Sequence, residues 1–197
     1  TMQVLGEKSM ENKKLEPALR FPGFTDAWEQ RKLGEVILKN NKRNKDLLID
    51  NVESVSNKTG FTRQTEQFED YSVASADLSN YYIISEKQFA YNPSRINVGS
   101  IAYKEKGEAD SVVSPLYVSF YTRDILNDRF LWYWMKTNSF DRQRGYFSEG
   151  GVRDTLSFGQ LSEMIIICPE ETEQQLVGDL FSQLDNLVTL HQRKLEN

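Results

Sequence analysis

This 197-residue chain has one cysteine and one histidine. A zinc site built from the usual ligands is therefore not available, and no metal is expected. Cys168 has no partner for an internal disulfide, which fits a reducing, cytoplasmic setting. It lies in the apolar run Met164–Cys168 and reads as a small core residue. His191 lies on a long helical pattern and reads as a solvated or interface residue. No apolar run approaches the ~18 residues of a membrane span, so no membrane partner is expected, and the N-terminus lacks a basic-then-apolar leader pattern. No Gly-Lys pair exists, which removes the phosphate-binding P-loop. No Gly-x-Ser-x-Gly elbow exists either. Asn92-Pro93-Ser94-Arg95 lacks the second proline and the aromatic with which amino-methyltransferases hold a target base, and no Gly-rich cofactor loop follows an early strand. Carboxylates are plentiful but show no nuclease-like arrangement. The expectation is a protein with no catalytic residue and no cofactor.

Positive charge is also scarce. The net charge is -5 and the pI about 5.1, which by itself argues against a nucleic-acid binder. The distribution changes that argument. Residues 163–190 carry Glu163, Glu170, Glu171, Glu173, Asp179 and Asp185 with no Lys or Arg; removing those six charges from -5 leaves +1 for the remainder. A near-neutral body can carry a local basic face.

What is present is a folding composition, 39% hydrophobic with 12% aromatic residues, in a length that suits one domain and an extra element. Residues 1–16 are polar, lack periodicity and should fray; Met10, ahead of Glu11-Asn12-Lys13-Lys14, is a candidate natural start. Leu19-Arg20-Phe21-Pro22-Gly23-Phe24 turns at Pro22-Gly23, and Asp26 to Glu29 suggests a short capped turn leading into Arg31–Val36. Lys39-Asn40-Asn41-Lys42-Arg43-Asn44-Lys45 reads as a solvated loop. A hairpin is expected from Val52–Ser56 through Asn57-Lys58-Thr59-Gly60 to Phe61. Short strands are expected at Tyr81–Ile84, Phe89–Tyr91, Ser100–Tyr103 and Leu116–Phe120, the last with Leu116, Val118 and Phe120 on one face and Pro115 at its start. Asp128 is positioned to cap a helix that buries Phe130, Leu131, Trp134 and Met135. A helical turn at Ser139–Gln143, a Gly-rich stretch from Gly145 to Gly151 and a strand at Met164–Cys168 complete the body.

The last element has the clearest pattern. Thr172-Glu173-Gln174-Gln175 has the form of a capping box, and the glutamates around it suit the positive end of a helix dipole. Val177, Leu180, Leu184 and Leu187 keep an a/d spacing, widened by Phe181 and Val188. A helix from about Glu173 to the chain end would reach nearly ~40 Å, too long for the core of so small a domain. Either it folds back on that core, or it projects as half of a helix–helix pair.

Several segments together resemble one family. Leu19–Phe24 with Trp28-Glu29-Gln30-Arg31-Lys32-Leu33-Gly34-Glu35 looks like the opening of a recognition domain of the specificity subunit of type I restriction–modification systems. Tyr91-Asn92-Pro93-Ser94-Arg95-Ile96-Asn97-Val98-Gly99-Ser100-Ile101 is similar to its central motif, and Ser114-Pro115-Leu116-Tyr117-Val118 to the strand that follows. Gly151-Val152-Arg153-Asp154-Thr155-Leu156-Ser157-Phe158 and Pro169 through Leu187 resemble its exit and the start of its spacer helix. Each motif alone is weak, but five in order over Pro17–Leu195 are specific.

The resemblance implies an α+β fold: a single target-recognition domain over residues 17–171, with a twisted mixed β-sheet and short helices. A long projecting C-terminal helix, the start of a spacer or coiled coil, follows over 172–197. It implies a non-catalytic subunit that reads half of a split site in double-stranded DNA, while methyltransferase and restriction subunits dock on the scaffold. This chain departs from the two-domain family layout, so it is either a half-subunit or a fragment. A second recognition domain or a second copy would pair through Val177, Leu180, Phe181, Leu184, Leu187 and Val188. Candidate DNA contacts are Lys42, Arg43 and Lys45 in the basic loop, Asn57 and Lys58 in the hairpin turn with Arg63, Arg95 in the central motif, and Arg142, Arg144 and Arg153 around the Gly-rich stretch. Arg95 has a competing role in holding its own loop, and Tyr91 and Tyr117 read as core. The competing function is a protein-interaction scaffold that works through its long helix without binding DNA.

Overall fold

A computed structural model describes residues 17, 19–63, 77–148 and 155–195. The chain forms β1 (Glu29–Lys32), α1 (Leu33–Val36), β2 (Ile37–Lys39), β3 (Glu53–Ser56), β4 (Gly60–Arg63), β5 (Tyr82–Ile84), β6 (Gln88–Tyr91), a 3-10 turn (Ile96–Val98), β7 (Ile101–Tyr103), β8 (Ser111–Val113) and β9 (Val118–Thr122). Then come α2 (Asp128–Trp134), α3 (Asn138–Ser148), α4 (Phe158–Glu163), β10 (Ile165–Cys168) and α5 (Glu171–Leu195). This is an α+β fold. A four-stranded sheet in the order β2-β9-β6-β7 stands beside three antiparallel pairs, β1-β10, β3-β4 and β5-β8. A parallel bridge from Val52 to Val112 joins the β3 hairpin to β8.

The main core lies between the four-stranded sheet and the helices. Phe89 and Phe120 stack across β6 and β9 with ring centroids 4.9 Å apart, a pairing that cross-strand neighbours favour. Leu131, Leu156, Leu161, Met164 and Ile166 close over them. Cys168 is buried in this cluster, and burial pushes its thiol above the ordinary range. A second cluster of Val55, Tyr82, Ile84, Ala90, Ala102 and Val113 lies on the other face of β6 and β7, with Phe61 and Tyr117 against it.

A buried ion pair clamps the β3–β4 hairpin to this second face. Lys104 is 1% exposed; its Nζ donates to Glu53 Oε2 at 2.7 Å and to Ser111 Oγ at 3.0 Å. Ser111 also donates to Glu53, and Lys104 lies over the Phe61 ring.

Local capping differs from the sequence expectation in two places. The N-cap of α2 is Asn127, which accepts from the Phe130 N–H, while Asp128 turns inward to accept from the Tyr103 hydroxyl. Helix α5 begins at Glu171, so Thr172 lies inside its first turn. The side chains that would complete a box at Thr172 have tertiary partners instead. Gln174 accepts from the Asn127 N–H and donates to the Pro169 and Ile125 carbonyls, and Gln175 accepts from Asn127 Nδ2. A capping box does form at Ser157 and Gln160, ahead of α4.

The expected strand at Leu116 also starts later. Pro115 and Leu116 form a turn, β9 opens at Val118, and Leu116 is 81% exposed. The tight return from β8 to β9 takes the residues that the alternating pattern assigned to a strand.

Removing Lys104 would leave Glu53 desolvated with only a hydroxyl partner. Lys104→Met is expected to cost about 3 kcal/mol in urea unfolding, and Lys104→Met with Glu53→Leu should recover most of it. A single-variant loss below about 1 kcal/mol would place the pair among those that contribute little.

Candidate nucleic-acid interface

The strand registers put four connecting segments at one rim. Strand β2 pairs antiparallel with β9, Lys39 opposite Phe120, so the chain leaving β2 emerges where β9 begins. Strand β6 pairs with β9, Tyr91 opposite Val118, so the loop after β6 emerges there too. Ser100 Oγ donates to the Val55 carbonyl, which brings the β3–β4 turn against that loop. The β8–β9 turn, 114–117, lies at the same rim because Tyr82, at the start of β5, pairs with Val113 and bridges Arg43.

These four segments, 39–45, 56–60, 92–100 and 114–117, carry Lys39, Lys42, Arg43, Lys45, Lys58 and Arg95 and no acidic residue. All but Arg43 are exposed. The opposite rim, 85–88, 104–110 and 123–128, carries six acidic residues against four basic ones. The charge of the strand connections is thus divided by rim, although the chain as a whole is acidic.

The basic loop is built on buried amides. Asn40 Nδ2 donates to the Ile83 carbonyl at 2.8 Å and to Ser119 Oγ at 3.1 Å, and its Oδ1 accepts from the Lys42 N–H. Asn44 Nδ2 donates to the Ile49 carbonyl, and its Oδ1 accepts from the Ile49 N–H. Both asparagines are buried. The loop that reads as solvated is therefore an anchored scaffold with Lys42 and Lys45 pointing outward. Arg43 is held over Tyr82, its Cζ 3.9 Å from the ring centroid, and donates to the Tyr82 hydroxyl and the Asn80 carbonyl. That contact with two bonds from one guanidinium, which lysine could not reproduce, leaves Arg43 half-buried.

The hairpin turn and the central loop meet. Asn57 and Arg95 line one recess of about 60 Å³ with Ser56, Val98 and Ser100. The loop turns back at Gly99, whose φ of 84° suits glycine. The Arg95 carbonyl accepts from the Val98 and Ser100 N–H groups, so its backbone organises the loop while its side chain stays exposed. Beside the turn runs a groove of about 590 Å³ lined by Lys58 and Lys136, by Phe61 and Trp132, and at its far end by Glu105 and Glu108. The Tyr91 hydroxyl donates to the Leu156 carbonyl, and the Leu156 N–H donates to the Pro93 carbonyl. Burial raises the Tyr91 hydroxyl far above its ordinary value, so it stays a donor.

Other candidates lie elsewhere. Arg63 stands opposite Glu53, at the far end of the hairpin from Lys58. Arg142 donates to the Asn138 carbonyl on exposed α3, and Arg144 pairs with Asp141 at 3.4 Å; among the described residues neither bonds to the basic rim. Arg153 lies outside the described residues. Among the described residues no group of three or more His, Cys, Asp or Glu could hold a metal, and no helix is long and apolar enough to cross a membrane.

This geometry coincides with a family match. The family model for the type I restriction modification DNA specificity domain matches residues 25–197. The chain belongs to that family. Among solved structures, the HsdS subunit from Thermoanaerobacter tengcongensis superposes with a TM-score of 0.60 at 16% identity, covering 90% of this chain and 46% of that one. A chain from a structure addressing complex assembly and conformational transition of the type I R-M system gives 0.58 at 15% identity, covering 91% and 47%. These likenesses establish the fold, and this specificity domain spans about half the length of the chains it matches. No curated protein matches.

In this specificity domain the long helix has two parts. Its root is fixed by Glu173, buried and bidentate with Arg20 at 2.8–2.9 Å. Helix α5 then runs alongside α2. At Gly178 a Cβ would lie 2.9 Å from Arg129 Cβ and 3.1 Å from the Phe130 nitrogen, so only glycine permits the crossing. Arg129 pairs with Asp179 at 2.9 Å, Phe181 packs on Tyr133 with centroids 5.3 Å apart, and the Tyr133 hydroxyl donates to Asp185. Of the six expected pairing residues, Val177 packs on the domain's own core and Phe181 on Tyr133. Leu180, Leu184, Leu187 and Val188 remain exposed, as does Phe181 on the side away from Tyr133.

Proposed function

We propose that this domain reads the sequence of double-stranded DNA through its basic rim and performs no chemistry itself. The observation that carries the proposal is the rim, six basic residues and no acidic one in four segments held by buried amides and strand ends. Phosphate contacts need Lys or Arg at a fixed spacing, and base readout needs polar side chains on rigid loops. Lys42, Lys45 and Lys58 suit the first role, Asn57 and Arg95 the second, and Arg43 holds the loop for both. The acidic opposite rim repels DNA and so orients the domain.

The unit that reads DNA comprises residues 17–171 together with the first turns of α5, because Glu173, Gln174 and Val177 belong to the body. The rest of the helix, from Leu184 onward, serves as the start of a spacer. The exposed Leu180, Phe181, Leu184, Leu187 and Val188 support pairing with a second copy or with the matching helix of a longer subunit, since burying each such side chain is worth ~1.5–3 kcal/mol. Methyltransferase and restriction subunits would dock on the resulting scaffold, in the cytoplasm where these systems meet DNA.

Replacing Lys42, Lys45 and Lys58 together with Ala is expected to flatten the log–log salt dependence of duplex binding by up to about 3, one for each phosphate no longer neutralised. The same change at Lys87 and Lys106 on the opposite rim should leave the slope unaltered. An unchanged slope in the triple variant would reject this rim.

For the helix, Leu184→Asp should abolish concentration-dependent association in sedimentation while leaving circular dichroism and the unfolding midpoint unchanged. A wild-type chain that stays monomeric at high concentration would reject self-pairing.

A further inference from the structure

Behind the basic loop stands an apolar tip that phosphate binding does not use. Leu48 is 85% exposed and Leu47 is 58% exposed. Leu47 has φ of 53°, in the left-handed region that a leucine adopts at a cost of roughly 1–2 kcal/mol. The turn is held from below: the Asn44 carbonyl accepts from the Leu47 N–H at 3.0 Å, and the buried Asn44 side chain brackets it by bonding both backbone groups of Ile49. One side of the loop is tied to Tyr81 through the Asn44 N–H, and the return to β3 is tied to Val112 through the Asn51 carbonyl. A strained, fixed turn thus displays two leucines to solvent beside Lys42, Arg43 and Lys45.

Exposing two leucines on a rigid tip is unfavourable unless something covers them. We infer that the Leu47–Leu48 tip is an apolar base-contacting element, which enters a DNA groove while the neighbouring lysines hold the phosphates. The inference rests on the DNA-reading function proposed above. Charge selects the occupant. The tip has no positive charge and lies between Asp46 and Asp50, which repel phosphate but can accept from a cytosine amino group; leucine methyls suit the thymine methyl. Base edges bordered by phosphates match an apolar tip with a basic flank on its 39–45 side. An acidic or apolar protein surface would match only one of the two.

The test uses the chain assembled with its methyltransferase partner and two duplexes of equal length, one bearing the site that the complex methylates and one with that site scrambled. Affinity is measured against salt for the wild type, Leu48→Ser and Leu47→Gly. Thermal unfolding is the folding control, and Leu47→Gly keeps the left-handed turn without strain. Both variants are expected to bind the site about tenfold or more weakly, with an unchanged salt slope and unchanged binding to the scrambled duplex. Equal weakening on both duplexes, or none on the site, would overturn the inference and leave the basic rim standing. So would intact DNA binding with weakened methyltransferase association. Absence of salt-dependent binding by the wild type would instead overturn the DNA-reading function itself, and this inference with it.

Discussion

The side chain of Asn40 joins two sheets. Its amide donates to the Ile83 carbonyl on β5 and to Ser119 on β9, and its oxygen accepts from the Lys42 N–H. The four-stranded sheet and the β5–β8 pair also meet through Lys104 and Ser111 and through apolar contacts, which resist separation but do not fix register. A buried amide is costly when left unbonded, by ~1–3 kcal/mol, so alternative placements of this loop are penalised. The same residue starts the basic loop. The constraint that aligns the sheets therefore also sets the position of Lys42 and, through Arg43 on Tyr82, the path toward Asn44 and the leucine tip.

Much of the fold was legible in local sequence. The β3–β4 hairpin follows from Asn57-Lys58-Thr59-Gly60, and helix α2 from the spacing of Phe130, Leu131 and Trp134, because both signals lie within a few residues. At the two helix starts where the sequence expectation and the structure differ, the deciding partner lies far along the chain. Asp128 is drawn inward by Tyr103, leaving Asn127 to cap. Gln175, which would close a box on Thr172, bonds instead to Asn127 and to Asp179. Leu116 alternates correctly with Val118 and Phe120, yet the Ser114–Tyr117 turn excludes it from the strand.

The candidate site was legible residue by residue but not as a surface. Lys42, Lys45, Lys58 and Arg95 can be named from charge and loop context, but that they share a rim depends on the β2–β9 and β6–β9 registers. The burial of Asn40 and Asn44 within a run of polar residues had no local signal. Nor did the leucine tip, because an exposed leucine looks like a core residue until the chain is folded. The apolar stripe of α5 was legible, but not its division at the Gly178 crossing, where the domain takes Val177 onto its core and leaves the stripe from Leu180 onward exposed.

The domain therefore presents two distinct exposed features, a basic rim built on strand ends and a helix that leaves alongside α2 from an acidic root. The central claim concerns the rim, and hydrogen–deuterium exchange of the chain assembled with the methyltransferase subunit proposed as its partner, with and without duplex DNA bearing the proposed site, tests it most directly. The account predicts slower exchange on DNA binding at 39–48, 56–60, 92–100 and 114–117, with 85–88, 104–110 and 123–128 unchanged. Protection confined to those latter segments, or unchanged exchange along the whole rim at saturating DNA, would contradict it.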